Sequence, residues 1–401
     1  MLSVTRSFSV FSRQYADFSH IVIGGGVVGV AVASELSQVP SNNIALLEQH
    51  PMLGMETTSR NSEVIHAGLY YPPTSLKARF CVRGKELIYH KLDPNIVPYR
   101  QCGKWIVAQT ETEAEYLEKL RQNASDLSVP TRYVTATKAK ETHPLIRAHF
   151  GALESPTTGI ISSHDLTQYF QAQFENSGGT LAINTRVDGL DYRAGHGEYV
   201  LHCTEMGSGE NFTVSAENVI NCGGLHAPRI ANMLLPPSRH FRSIFAKGNY
   251  YSYVPDTPMQ LKNITTRLIY PCPQPNASGL GTHMTFDLGG QIRFGPDLEW
   301  TDEAIDDAYS LGYDVTVKSL EAAHAAITTY YPSIKFHEIQ PSYSGFRPKL
   351  YSQSESLKRF SDFYISEEEG YPGFVNMIGI ESPGLTSAFA IAEYVRDIYH
   401  R

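Results

Sequence analysis

Cysteine is scarce and scattered in this chain. The five present in 401 residues (Cys81, Cys102, Cys203, Cys222, Cys272) are odd in number and never fall in C-x-x-C spacing. That excludes a disulfide framework and speaks against a zinc site. Charge is also in short supply, at 18% of residues, and basic residues are outnumbered 33 to 41, leaving a formal charge of −8. Phosphate backbones are bound by basic faces, so this balance argues against nucleic acid as a partner. No long apolar run is present. The longest, Ile21 to Ala33, carries three consecutive glycines and is too short for the ~30 Å of a bilayer's hydrocarbon. Internal repeats and low-complexity segments are likewise missing. What remains is ordinary globular composition, with 42% hydrophobic residues, which excludes wholesale disorder. A single core rarely grows past ~250–300 residues, so two domains, or one with a large insertion, are expected.

The first fifteen residues differ in kind. They hold Arg6 and Arg13 and five hydroxyl residues (Ser3, Thr5, Ser7, Ser9, Ser12), and no acid precedes Asp17. This is the composition of a mitochondrial transit peptide, and Arg13-Gln14-Tyr15-Ala16 reads as its cleavage site, with the cut after Tyr15.

The folded chain then opens on a compact signal. His20 to Ile23 reads as a buried strand, Gly24-Gly25-Gly26-Val27-Val28-Gly29 as a turn, and the following apolar spacing as a helix to about Gln38. Ile44 to Leu47 is a second strand, ending at Glu48. Gly24 permits the tight turn, Gly26 lets a pyrophosphate approach the backbone, and Gly29 lets the helix pack on the sheet. The helix start meets phosphate charge. Glu48 stands where a carboxylate accepts from ribose hydroxyls. The pattern predicts a dinucleotide site.

Longer strings point to a family. From Gly24 to Lys85 the chain resembles the amino-acid-oxidase-like FAD oxidoreductases, and among them the L-2-hydroxyglutarate dehydrogenases. The carrying strings are Thr58 to Tyr71 (TSRNSEVIHAGLYY), Ser75-Leu76-Lys77-Ala78-Arg79, Gln101-Cys102-Gly103-Lys104, Tyr343 to Leu350 (YSGFRPKL) and Gly379 to Thr386 (GIESPGLT). The resemblance implies an α/β fold: a Rossmann-like FAD-binding domain interleaved with an antiparallel-sheet substrate domain. We expect the first domain over 16–95, 151–235 and 340–401, and the second over 96–150 and 236–339. It implies FAD as cofactor and a small 2-hydroxy acid as substrate; no cysteine sits in Gly379–Thr386, which favours noncovalent FAD while the mode of attachment stays open. The electron acceptor (a quinone, an electron-transfer flavoprotein or oxygen) stays open, and any membrane contact is peripheral.

Oxidising a 2-hydroxy acid needs a hydride acceptor, a base, a cation for the carboxylate and a dry pocket. Histidine titrates in the right range for the base, and the resemblance nominates His66 and His283. It gives Arg347 the substrate carboxylate, a bidentate pairing suited to guanidinium. Lys349 is a candidate for a second, distal carboxylate, Arg60 for substrate or FAD phosphate, and Tyr70 for the substrate wall. The expected cofactor contacts are Gly24, Gly26, Val28, Gly29, Glu48, Thr58, Ser59, Arg60, Asn61, Ser62, Val187, Cys222, Gly223 and Gly224. The C-terminal string adds Gly379, Ile380, Glu381, Ser382, Pro383, Gly384, Leu385 and Thr386, where Ser382 and Thr386 are read as helix caps or cofactor contacts.

Elsewhere, helices are expected over Thr112–Asn123, Leu166–Asn176, Thr301–Tyr330 and Ala388–Tyr394. Strands are expected at Leu181–Ile183, Asn218–Cys222, Lys247–Tyr253, 276–281 and Leu288–Gly290. Two alternatives remain at this level: another FAD oxidoreductase acting on an amino acid or glycerol 3-phosphate, and a flavin-binding assembly factor without turnover.

Overall fold

The first strand, β1 (Phe18–Ile23), is followed by helix α1 (Val27–Ser37) and strand β2 (Ile44–Leu47), as the sequence predicts. Helix α1 is rich in valine, which disfavours helices. Burial offsets that cost: Val27, Val30, Val32 and Leu36 are all buried, because α1 packs against the C-terminal helix Gly384–Tyr399 and against Ser163–Asn176. A helix apolar on nearly all sides belongs inside. This computed structural model describes residues 16–257, 261–273, 281–301, 305–315 and 318–400. The expected leader 1–15 and most of the expected strand 276–281 lie outside the described residues.

Two large sheets organise the chain. An eight-stranded sheet places β1 between β2 and Asn211–Asn221, both parallel to it. Thr180–Ala182 extends it beyond β2, Phe374–Ile378 pairs with Asn211–Asn221, and Glu198–Glu205 and Thr185–Arg193 form an antiparallel edge. A nine-stranded mixed sheet carries Lys104–Val107, Leu268–Pro271, Met284–Phe286 and the long pair Ile244–Tyr253 with Ile339–Lys349. Strand β3 (Val64–Ile65) belongs to a small third sheet. Ala152–Ser155 and Ile339–Lys349 pair in the nine-stranded sheet, although the expected boundaries put 151–235 and 340–401 with the nucleotide domain. Ile339–Lys349 pairs with the distant Ile244–Tyr253, whereas Ala152–Ser155 pairs with Arg132–Val134 and Lys104–Val107.

Several local expectations need correction. Leu288–Gly290 is a hairpin turn, not a strand: Gly290 has φ +88° and its amide donates to Asp287 O. Of the helix expected over Thr301–Tyr330, the described residues show helix at Lys318–Thr328 and a short 3-10 turn at Ala308–Ser310. Helix α2 (Leu76–Lys91) was not expected at all. Ser75 caps it by accepting from the Ala78 amide, and its apolar spacing at Leu76, Phe80, Leu87 and Ile88 is the signal that would have found it. Helix α3 (Glu111–Asp126) matches expectation with extended ends. Among the described residues no helix is long and apolar enough to cross a membrane.

Candidate active site

A cavity of about 970 Å³ runs from the glycine turn after β1 to the nine-stranded sheet. At its nucleotide end the chain presents backbone. Gly24 sits at φ +107°, in the left-handed region that favours glycine. A β-carbon on Gly29 would lie 2.0 Å from Gly24 O, so only glycine allows α1 this close. A β-carbon on Gly26 would meet nothing nearer than Thr58 Oγ1 at 3.3 Å, on the cavity side. Helix α1 has no side-chain cap. Its first-turn amides and positive end are therefore left for an anion, with Val27 N alone engaged, by Thr58 Oγ1 at 3.0 Å.

Glu48 is buried and accepts from Gly25 N at 2.6 Å and His50 N at 2.8 Å. Burial raises its pKa, and the two backbone donors oppose that. Each oxygen keeps a free lone pair for a ribose hydroxyl. Val187, Cys222, Gly223 and Gly224 line the same end, with Cys222 held there by its backbone amide donating to Ile23 O. A pyrophosphate and a nucleoside fit this cradle.

The 57–62 loop lines the cavity through Thr58, Arg60, Asn61 and Ser62, but not through Ser59. The Ser59 hydroxyl turns back onto Met55 O and Glu56 O. Asn61 is spent on its own turn, donating to Thr58 O and accepting from Glu63 N. Arg60 donates to Ser344 O and stacks 4.3 Å from the Tyr313 ring centroid.

At the far end side chains take over. His66 follows β3 and turns its ring into the cavity, where Nε2 lies 3.3 Å from Ser382 Oγ. Its pKa is pushed down to about 3, chiefly by burial, then by the charges of Lys104 and Arg347. The imidazole is thus neutral at physiological pH. Arg347 projects from the strand Ile339–Lys349 into the same chamber and bonds the Tyr250 hydroxyl, whose pKa burial raises despite it. Ser62 Oγ meets that hydroxyl at 3.1 Å. His283 stacks on Tyr270 at 3.6 Å with rings 7° from parallel. Lys104 lies under the rings of Tyr70 and Tyr270, 4.5 and 4.4 Å from their centroids, and burial pushes its pKa down to about 7. Both histidines, Arg347 and Tyr70 therefore surround one chamber.

The C-terminal string departs from expectation in three places. Gly379 is a turn residue against Leu350 and does not line the cavity. Neither Ser382 nor Thr386 caps the following helix, whose N-cap is Pro383 without a side-chain bond. Thr386 instead fastens this helix to β3, donating to Val64 O and accepting from His66 N. Glu381 is held by two lysines, Lys77 at 3.1 Å and Lys349 at 2.7 Å. Ile380, Pro383, Gly384 and Leu385 do line the cavity. The reading of the sequence missed Lys77, Lys104, Tyr250 and Tyr270. Two of them, Lys77 and Lys104, sit inside strings on which the resemblance rested.

The geometry, a dinucleotide cradle opening onto a cation-lined chamber, agrees with what the chain is similar to. Residues 19–398 match the family model described as FAD dependent oxidoreductase. The chain belongs to this family. An Arabidopsis thaliana protein named L-2-hydroxyglutarate dehydrogenase, mitochondrial, is 36% identical over 95% of this chain and 83% of its own length. An Escherichia coli K12 L-2-hydroxyglutarate dehydrogenase is 34% identical over 70% of this chain and 64% of its own length. Among solved structures, FAD-bound L-alpha-glycerophosphate oxidase from Mycoplasma pneumoniae superposes with a TM-score of 0.80 at 21% identity, covering 96% of this chain and 95% of that one. Glycine oxidase from Geobacillus kaustophilus gives 0.76 at 18% identity, covering 96% and 95%. These neighbours share the fold of this chain.

Proposed function

We propose that the protein oxidises L-2-hydroxyglutarate to 2-oxoglutarate. The observation that carries the reading is Arg347 and neutral His66 facing one chamber at the end of a dinucleotide cradle. Bound FAD supplies the acceptor for the hydride leaving C2. Arg347 holds the C1 carboxylate through charge-assisted hydrogen bonds. His66 receives the hydroxyl proton on its neutral ring, and the Ser382 hydroxyl, 3.3 Å from Nε2, steadies that ring. Burial above all, and then the charges of Lys104 and Arg347, hold the ring neutral before substrate enters. An arriving carboxylate offsets that field and raises the ring's proton affinity as the proton is released. His283, braced on Tyr270, and Tyr70 shape the chamber wall. Gly26, Val28 and Gly29 support the pyrophosphate, and Glu48 the ribose. The relatives from Arabidopsis and Escherichia coli support the substrate.

The test is anaerobic. L-2-Hydroxyglutarate should bleach the flavin absorbance of the purified protein. Bleaching by glycerol 3-phosphate or an amino acid instead, with none by the L-acid, would overturn the reading. We also place the protein in the mitochondrion, on the composition of residues 1–15 and the mitochondrial naming of the plant relative. A fluorescent protein fused behind residues 1–20 should enter mitochondria, and a diffuse signal would refute that placement.

A further inference from the structure

On the wall beside Arg347 lies a buried ion cluster that hydride transfer does not require. Lys77 is 4% exposed, and its ammonium reaches Glu381 Oε1 at 3.1 Å. Lys349 reaches the other oxygen, Oε2, at 2.7 Å. All three residues, like Arg347, line the cavity. Lys77, Lys349 and Arg347 together hold the Glu381 carboxyl down at about 2, although burial pushes it up. Three cations therefore face the Glu381 carboxylate, and positive charge is left over.

The placement is unfavourable for stability alone. Lys77 sits in the first turn of α2, where the positive end of the helix repels a cation. Asp362 partly offsets this by accepting from the Leu76 and Lys77 amides. Buried ion clusters seldom improve on apolar packing, so surplus charge at a cavity wall points to a ligand that brings the missing charge.

Spacing identifies that ligand. Arg347 and Lys349 are two apart on one strand. They share a face with ~6.5–7 Å between their Cα atoms. A five-carbon diacid spans four carbon–carbon bonds of ~1.5 Å each, so its two carboxylates can reach both cations.

We propose that Lys77 and Lys349, positioned by Glu381, form a second carboxylate subsite that makes the chamber select dicarboxylates over monocarboxylates of equal length. The proposal rests on the 2-hydroxy-acid reading for Arg347 and names the specificity element of the same site. In the resting protein Glu381 occupies the two ammonium groups. A substrate's distal carboxylate joins it there, meeting the surplus charge, while Arg347 keeps the proximal one. Glu381 is a positioning residue; Lys77 and Lys349 bind.

The experiment uses the flavin-loaded protein. Glutarate and pentanoate are titrated separately, and perturbation of the flavin absorbance is read without turnover. Glutarate should bind about 10- to 100-fold more tightly, the value of one charge-assisted contact. Equal affinities would overturn the proposal, even if L-2-hydroxyglutarate bleaches the flavin normally. Conversely, a glutarate preference in a protein that L-2-hydroxyglutarate fails to bleach would keep the subsite and reject the reaction. K349M and K77M each leave Glu381 one partner and so keep its charge compensated. In both, the preference should shrink by about 10-fold or more, and K349R should restore it. A parallel loss for both acids in the lysine variants, with the preference unchanged, would assign the cluster a structural role and sink the proposal.

Discussion

The two ends of the cavity are built by different means. At the nucleotide end the chain contributes backbone, through Gly24, Gly26, Gly29 and the uncapped start of α1, all within six residues. At the reaction end it contributes side chains from separate elements: His66 after β3, Lys77 on α2, Arg347 and Lys349 on the long strand, Glu381 before the last helix, with Lys104 buried against the Tyr70 and Tyr270 rings of the wall. The first end depends on shape within one local segment. The second depends on charges that only the finished fold assembles. Substitutions should therefore fail in different ways at the two ends, with cofactor loss at one and altered kinetics in a still-yellow protein at the other.

The largest effect belongs to Gly29→Ala. The new methyl group would stand 2.0 Å from a backbone oxygen that cannot move without opening the turn. Overpacking of this kind costs ~1–3 kcal/mol or more, and here it falls on the cradle itself. The purified variant should emerge colourless, with a 450 nm to 280 nm absorbance ratio near zero. A fully yellow Gly29→Ala protein would mean that the cofactor is not held by this turn.

His66→Gln comes next and should keep its flavin. Loss of a general base lowers rates by ~10²–10⁴-fold, read as the rate of anaerobic flavin bleaching at saturating substrate. A drop of less than tenfold would pass the role to His283. Arg347→Met should lower kcat/KM by ~10²–10³-fold through loss of charge-assisted bonds, mostly as a raised KM. An unchanged KM would show that the carboxylate is held elsewhere.

This division also explains what could be read from the sequence. β1, α1, β2 and the glycine turn were legible because the determinants of each are consecutive. The strand Ile339–Lys349 was not legible, because its partner Ile244–Tyr253 lies far upstream in the chain. His66 and Arg347 were nominated by resemblance, and no periodicity would have singled them out among fifteen histidines and many arginines. The two lysine partners of Glu381 were not legible, because they come from α2 and the long strand. Thr386, read as a cap or a cofactor contact, does not cap the helix but fastens it to β3, which only tertiary contacts reveal.

The smallest expected effect sharpens the comparison most. Lys104 is fully buried under two tyrosine rings, its pKa lowered to about 7, whereas His66 is lowered to about 3. Between pH 5 and 9 His66 stays neutral, and Lys104 changes charge. Below about 7 Lys104 is a cation that adds to the attraction for a substrate anion. As pH rises through that value the cation is lost, so kcat/KM should fall several-fold towards pH 9, with no acid limb above pH 5. Lys104→Met should flatten the profile. Stability supplies an independent sign. In the unfolded chain the lysine stays protonated to about pH 10.5, its ordinary value, so the unfolded state binds the extra proton between about 7 and 10.5. The contribution of Lys104 to stability therefore rises with pH across that window, and its penalty is fully present below it. Lys104→Met should raise Tm at pH 6 more than at pH 10 while it weakens turnover. A variant that loses stability at pH 6 would show Lys104 to be a packing residue, and the pH dependence would then belong to another group.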